Sequence, residues 1–278
     1  MDAPKPIPIA LIGMGAAGKS RHNALVQVPQ FALAGIVSRR PGIGTKSLEQ
    51  VLADPKVEAV AIATEPVDHP SAVRRALEAG KHVLCDYPLA FTASEARALF
   101  ALADEKRLVL HPEHLSLLSD AHGIARQAVD ELGDVIDGQF IFTGDWNEKL
   151  ADESRSGPFP YISIPRLLQL ADLFGPFTIF DHQWYADARA GRIQLRLRFV
   201  HGSGTMVFLE DRRPGQTRTR RMRVRLTRGT FQWPEEPGNE GLFAKDLRHF
   251  YEALRLGNAP YVSRPLLLMV LTELDRVF

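Results

Sequence analysis

Ile7-Pro8-Ile9-Ala10-Leu11-Ile12-Gly13-Met14-Gly15-Ala16-Ala17-Gly18 is the stretch on which the fold turns. An apolar run leads into Gly-x-Gly-x-x-Gly, and Lys19 to Val26 reads as the start of a helix. A strand, a glycine turn and a helix in that order suit a bound dinucleotide. Gly13 permits the tight turn, Gly15 lets the backbone approach a pyrophosphate, and Gly18 lets the helix pack close to the strand. Ala16 and Ala17 sit where the free N–H groups and positive dipole of the helix start would hold the phosphates. The competing reading is an ordinary strand–turn–helix with three glycines. The βαβ pattern that follows favours the nucleotide.

The second strand narrows the cofactor. Phe31 to Val37 is a short apolar run that should lie beside the first strand. Sites that prefer NAD place Asp or Glu at its end, where the carboxylate accepts the ribose hydroxyls. Here the chain reads Ser38-Arg39-Arg40. A hydroxyl and planar guanidinium groups bind a 2′-phosphate that a carboxylate would repel. The expectation is NADPH, with NADH accepted at lower affinity. The plainer alternative leaves Arg39 and Arg40 solvated after a strand.

The chain has 278 residues, 45% of them hydrophobic and 24% charged, enough for one large globular domain or two medium ones. A net charge of +1 argues against a dedicated nucleic-acid or membrane-surface protein. A single cysteine, Cys85, allows no internal disulfide or thiolate cluster and points to a reducing compartment. Met1-Asp2-Ala3-Pro4-Lys5-Pro6 lacks the pattern of a signal peptide, and no apolar run reaches the length of a membrane span. Together these predict a cytoplasmic protein.

Beyond the second strand the elements alternate. Ser47 to Leu52 predicts a short helix, Val57 to Thr64 a buried strand, and Pro70 to Ala79 a helix stopped by Gly80. Lys81 to Cys85 is a strand, Ala93 to Lys106 an amphipathic helix, and Leu108 to His111 the next strand. This alternation predicts a doubly wound parallel sheet of Rossmann type, which binds ligands beyond the carboxyl ends of its strands. Those ends are Ser38, Thr64-Glu65, Asp86-Tyr87-Pro88 and His111 to His114. His69 follows closely and either borders the nicotinamide pocket or caps the next helix.

From about residue 119 the pattern changes. Helical segments over Leu115 to Glu131 precede a strand from Val135 to Thr143 and a helix from Ser163 to Phe174. Strand-like runs then follow without helices between them: Phe177 to Asp187, Arg192 to Val200, Thr205 to Glu210 and Arg220 to Leu226. Gly202-Ser203-Gly204 marks a hairpin. Leu242 to Leu256 and Arg264 to Phe278 close the chain as helices. The fold class predicted is α/β: a Rossmann domain over 1–118, then an α+β domain with an open antiparallel sheet over 119–278. The last helix is expected to pack back on the first domain.

This plan resembles the glucose-fructose oxidoreductase and inositol dehydrogenase superfamily. Glu78-Ala79-Gly80-Lys81-His82-Val83 is similar to its "AGKHV" signature. Most members follow with Glu-Lys-Pro, whereas Asp86-Tyr87-Pro88 resembles the biliverdin reductases. Val37 to Arg40 resembles the second-strand end of the mammalian reductases. Leu110-His111-Pro112-Glu113-His114-Leu115-Ser116-Leu117-Leu118 is similar to their "LHxEHxxLL". Gly157-Pro158-Phe159-Pro160 through Arg166 to Asp172-Leu173-Phe174-Gly175 is similar to their "GFP…SR…LFG" helix. The run from Gly241-Leu242-Phe243 to Tyr261-Val262 resembles the cyanobacterial members. The chain departs from the pattern at Pro165, Asp86 and Pro112.

The resemblance implies hydride transfer from NADPH to the central methine carbon of the linear tetrapyrrole biliverdin, giving bilirubin, a step of haem degradation. It implies Arg166 as the first catalytic residue, positioning the bilin or polarising a water; an arginine is a poor direct acid. The alternative for Arg166 is an ion pair with Asp172 or another acid. Tyr87 either flanks the nicotinamide or plugs a strand end. Glu113 with His111 and His114 forms a candidate proton relay. His111 is also a candidate substrate contact. Their spacing is not that of a zinc helix, and no metal is expected. Gly13, Gly15, Ala16, Ala17, Gly18, Ser38, Arg39, Arg40, Thr64, Glu65, His69 and Asp86 are the candidate cofactor contacts.

Arg221, Arg223 and Arg225 alternate with Met222, Val224 and Leu226, so three cations share one face of a strand. Arg223 is a candidate for the bilin propionates; a solvated outer face is the plainer reading. A small-molecule substrate is expected, with no nucleic acid and no membrane as partner. By analogy with the superfamily, an exposed face of the antiparallel sheet would serve a homodimer. A sugar or polyol dehydrogenase is the second functional reading, and a non-catalytic NADP-bound sensor the third.

Overall fold

The computed structural model describes residues 5–234 and 241–278; Met1 to Pro4, part of the N-terminal stretch read above, lie outside the described residues. By contact the chain divides into two compact units: Met1–Leu115 with Glu240–Ser263, and Ser116–Asn239 with Arg264–Phe278.

The first unit holds β1 (Ile7–Ile12), α1 (Ala16–Leu25), β2 (Phe31–Val37), α2 (Leu48–Ala53), β3 (Ala59–Ile62), α3 (His69–Glu78), β4 (His82–Cys85), α4 (Ala93–Lys106) and β5 (Leu110–Pro112). The five strands are parallel, in the order β2-β1-β3-β4-β5. Continuous apolar runs make this arrangement: all four residues of β3 are buried, as a sheet covered on both faces demands. Helix caps come from the sequence as well. Ser47 and Gln50 form a capping box at α2, and Thr92 caps α4 through the Glu95 N–H. The direction of winding reverses at β1, so the ligand crevice of such a sheet lies between the carboxyl ends of β1 and β3.

The second unit holds α5 (Asp120–Asp130), β6 (Val135–Asp145), α6 (Glu148–Ala151), α7 (Glu153–Ser156), α8 (Ile164–Phe174), β7 (Phe177–Ala186), β8 (Gly191–Phe199), β9 (Thr205–Arg213), β10 (Thr219–Leu226) and β11 (Gly229–Gln232). Its six strands run in the order β11-β10-β6-β9-β8-β7. The expected antiparallel sheet is a mixed one, because β6 and β9 pair in parallel. Three helices and two strands separate them in sequence, the length of connection that parallel pairing needs. Strict alternation gives this sheet one buried face. Phe140 and Phe142 of β6, Leu195 and Leu197 of β8, Phe208 of β9, and Met222 and Val224 of β10 all point into it. On α8, Phe174 meets Phe199 and Phe231 edge-on at 5.8 and 6.4 Å.

Two helices close the chain, α9 (Leu242–Leu256) and α10 (Arg264–Val277). The segment that completes the first unit is α9; the final helix α10 stays with the second, unlike the arrangement expected above. Ala244, Leu247 and Phe250 of α9 join Ile7, Leu11, Leu25 and Phe31 in one core cluster. In the second unit, Glu273 of α10 accepts the backbone N–H of Ile179 at 2.6 Å, beside a register shift in β7.

Candidate functional site

The glycine turn has the geometry its spacing predicts. Gly13 has φ +101°, and a Cβ there would stand 2.3 Å from the Ala63 carbonyl oxygen. A Cβ on Gly18 would stand 2.1 Å from the Gly13 oxygen, so the first turn of α1 rests on the loop itself. At Gly15 a Cβ would meet nothing within 4 Å. Gly15 caps α1 with no side-chain hydrogen bond, and Ala16 is exposed while Ala17 is half-buried. The opening helix therefore presents free N–H groups beside open space, as a pyrophosphate requires.

At the end of β2, Ser38, Arg39, Arg40, Lys46 and Ser47 line a cavity of about 420 Å³. Ser38 Oγ accepts the Arg40 N–H at 3.1 Å, which folds the turn back on itself. Arg39 is exposed and donates to Asp68 at 3.2 Å. Thr64 and Glu65 are half-buried at the end of β3. His69 is buried, and its Nδ1 lies 2.8 Å from the Pro88 carbonyl oxygen. His69 is therefore a buried partner of the Pro88 backbone rather than a group at the surface.

The ends of β4 and β5 carry a buried charged network that the sequence reading missed. Arg21, fully buried on α1, donates to Asp86 at 2.6 Å and to Asp246 of α9 at 2.8 Å. Burial opposes the Arg21 charge, but the two aspartates outweigh it and raise its pKa. Asp246 also meets His111 Nε2 at 2.9 Å and accepts the Tyr261 hydroxyl at 2.9 Å. Burial opposes its ionisation, yet Arg21 and the His111 hydrogen bond hold it down at about 2. The Tyr261 oxygen in turn accepts the His114 N–H at 3.0 Å. Asp86, expected at the cofactor, is thus committed to Arg21.

Next to this network stands Glu113. It accepts the Tyr87 N–H at 3.3 Å and the Leu115 N–H at 2.7 Å. Burial, then the neighbouring Asp86 carboxylate, pushes Glu113 up to about 8. Tyr87 is half-buried, with its ring stacked on His114 at 6.0 Å. Two expectations are corrected here. His111 is fully buried between the rings of Phe250 and Tyr261, so it supports the site and touches no substrate. Burial holds the His114 ring neutral down to about 3, so it is a stacking partner and not a titrating member of a relay near neutrality.

In the second unit, Arg166 is 4% exposed and pairs with Glu210, not with Asp172. Asp172 is taken by His122 at 2.8 Å. Glu210 also accepts Arg212 Nε at 2.6 Å and the Ser163 hydroxyl at 2.9 Å. Burial disfavours the Glu210 charge, but Arg166 and Arg212 lower its pKa. The guanidinium groups of Arg166, Arg212 and Arg218 lie 4.3, 4.9 and 5.5 Å from the Phe142 ring centre. Arg166 and Arg212 share the one buried carboxylate of Glu210, and both stand with Arg218 around the Phe142 ring. The alternation rule finds Arg212 on the inner face of β9, two residues past Glu210. Arg223, singled out instead, is exposed on the opposite face of the sheet. Among the described residues no group of three or more His, Cys, Asp or Glu is placed to hold a metal. No helix among them is long and apolar enough to cross a membrane.

Residues 7–114 match the family described as "Oxidoreductase family, NAD-binding Rossmann fold" (GFO_IDH_MocA). Biliverdin reductase A of Homo sapiens is 30% identical over 258 residues, covering 88% of this chain and 85% of that protein. The chain belongs to the Gfo/Idh/MocA oxidoreductases. A shorter match is 1,5-anhydro-D-fructose reductase of Ensifer adhaerens, 39% identical over 92 residues, 32% of this chain and 28% of that one. The biliverdin reductase of Synechocystis sp. PCC 6803, solved with biliverdin and NADP+, superposes with a TM-score of 0.87 at 23% identity, over 98% of both chains. That likeness shows the fold. As a Gfo/Idh/MocA member with an intact glycine turn, the protein is an NAD(P)H-dependent oxidoreductase.

Proposed function

We propose that the protein reduces biliverdin to bilirubin with NADPH. The observation that carries this reading is the extent of the likeness. Biliverdin reductase A matches over 88% of the chain, both units included, whereas the anhydrofructose reductase matches over 32%. A match of 258 residues necessarily runs through both units of the chain.

NADPH supplies the hydride. The residues of the chain supply binding and charge. The N-terminus of α1 and the open side of Gly15 would hold the pyrophosphate, and Ser38, Arg39 and Arg40 the 2′-phosphate. Tyr87 stands at the strand end in place of the lysine found in most members, which removes the base that oxidation of a sugar carbinol needs. Glu113 keeps a proton at neutral pH beside the Tyr87 backbone and is the candidate acid of the site. Arg166, held by Glu210, stabilises charge on the bilin, and Arg212 replaces Arg223 as the cation for its propionates.

The test is optical. Purified protein mixed with biliverdin and NADPH should lose the biliverdin band as a bilirubin band grows. Arg212→Ala should raise KM for biliverdin about tenfold, the loss of one charge-assisted contact, and leave KM for NADPH unchanged. No spectral change despite NADPH binding would overturn the biliverdin reading and favour a polyol or sugar substrate.

A further inference from the structure

The outer face of the six-stranded sheet carries its charge in two columns. Arg221, Arg223 and Arg225 of β10 are exposed, while Met222, Val224 and Leu226 between them are buried. Register sets these arginines beside Ile141, Gln139 and Asp137 of β6. The next strand, β9, places Leu209, Val207 and Thr205 beside those residues. Beyond it, β8 contributes Arg196 and Arg198 in the same rows, with Arg192 further along. Three strand spacings separate the columns, about 14 Å. Of the six residues between them, Ile141, Leu209 and Val207 at one end are aliphatic and half-buried, while Gln139, Thr205 and the Arg225-paired Asp137 are polar.

Carboxylates on this face do not match the cations. Asp137 is taken by Arg225, Asp181 lies 3.6 Å from Arg196, and Asp211 is held by Arg213. Arg221 and Arg223 form no ion pair among the described residues. The whole chain carries a net charge of only +1, so the excess is local to this face.

We propose that this face docks a partner protein through an acidic amphipathic helix. The helix would lie along the strip between the columns, and glutamates or aspartates on both its flanks would meet the two arginine columns. A helix with its side chains is about 10–12 Å across, which fits between columns about 14 Å apart. Arginine favours such contacts because its fork binds a carboxylate through two parallel bonds. Two other occupants fit less well. Single-stranded nucleic acid binds by stacking its bases on exposed rings; the strip between the columns has none, and of the rings beyond it on β7, Phe180 is already covered by Arg198. A second copy of this face would bring like charges together.

The test uses a fluorescent helix-favouring peptide with leucines at i, i+3, i+4 and i+7 and glutamates on both flanks. Anisotropy should show saturable binding that weakens with salt. The double variants Arg221→Glu/Arg223→Glu and Arg196→Glu/Arg198→Glu should each weaken it at least about tenfold, the loss of two charge-assisted contacts. Circular dichroism and thermal unfolding of both variants check that the fold is kept. Lysines in place of the peptide glutamates should abolish binding. The proposal is overturned by absent binding, by equal binding of the two peptides, or by insensitivity to both double variants. It is equally overturned if oligothymidylate or phosphatidylserine vesicles bind more tightly than the peptide. Sedimentation showing a dimer that the reversals dissociate would assign the face to a second copy instead. No readout here uses bilin or NADPH, so this proposal and the reductase reading fail independently.

Discussion

Glu113 and His114 are neighbours in sequence, and burial acts on them in opposite senses. It pushes the carboxyl up to about 8 and the imidazole down to about 3. Both shifts favour the neutral form, as desolvation does. Their effects on stability have opposite signs. A carboxyl raised in the folded state stays protonated where the unfolded chain ionises, so its contribution is present at low pH and is lost as pH rises toward 8. An imidazole lowered in the folded state loses stability as pH falls from its usual value near 6.5 toward 3. Between about 4.5 and 6.5 the two slopes oppose each other; above that range Glu113 acts alone. Denaturant unfolding should therefore show stability falling from pH 6.5 to 8, and Glu113→Gln should flatten that fall. If Glu113 also donates the proton, the wild-type kcat should decline above about pH 8, and the Gln variant should lack that limb.

At the scale of single elements, the sequence was most legible where one signal decided one element. The glycine turn, the buried strands of the first sheet and α4 follow directly from spacing and apolar runs. Two features escaped because they rest on pairing between distant segments. Parallel pairing of β6 with β9 cannot be read from either strand, since alternation fixes which face is buried but not which neighbour is chosen. The Arg21–Asp246 pair was also missed, though a trace of it was visible. Arg21 occupies the buried stripe of α1 with Gly18, Ala24 and Leu25, and Asp246 occupies the stripe of α9 with Leu242 and Phe250. A charge inside each of two apolar stripes, of opposite sign, is a reason to expect one helix against the other. Phe250 tests how far α9 belongs to the nucleotide-binding unit. It is fully buried and stacks on Phe31 at 5.9 Å. Phe250→Ala should cost about 3–5 kcal/mol in urea unfolding. It should weaken NADPH binding too, although the residue lies in the last quarter of the sequence.

For the whole molecule, the cofactor offers the broadest check. A ligand that binds only the folded chain stabilises it by about 2.7 kcal/mol at a hundred times its Kd. NADPH should therefore raise the unfolding midpoint more than equal NADH, and Arg39→Ala/Arg40→Ala should narrow that difference from the NADPH side. An equal rise with both cofactors in the wild type would assign the two arginines to solvent. The site was legible unevenly at this scale. Ser38 to Arg40, Tyr87 and Glu113 stand at strand ends, where topology alone sends a reader. Arg212 was overlooked because an arginine-rich stretch hides which of its members face inward until the sheet is assembled.

The nucleotide-binding unit is discontinuous, and this bears on how the protein is made. A growing chain emerges from its N-terminus and domains ordinarily fold as they are completed. Here the five-stranded sheet is finished by residue 112, yet the partner of Arg21 and His111 arrives with Asp246. For more than a hundred residues of synthesis Arg21 has only Asp86 of its two carboxylates and His111 lacks its hydrogen-bond partner, and a missing partner in a buried charged network is destabilising. A fragment ending at residue 118 should thus be unfolded or only loosely compact by amide exchange, and separately supplied residues 241–278 should increase its protection. Completion of the nucleotide-binding unit thus waits on residues 240–263, and chains cut short of them are expected to bind NADPH poorly and to be cleaved readily by protease.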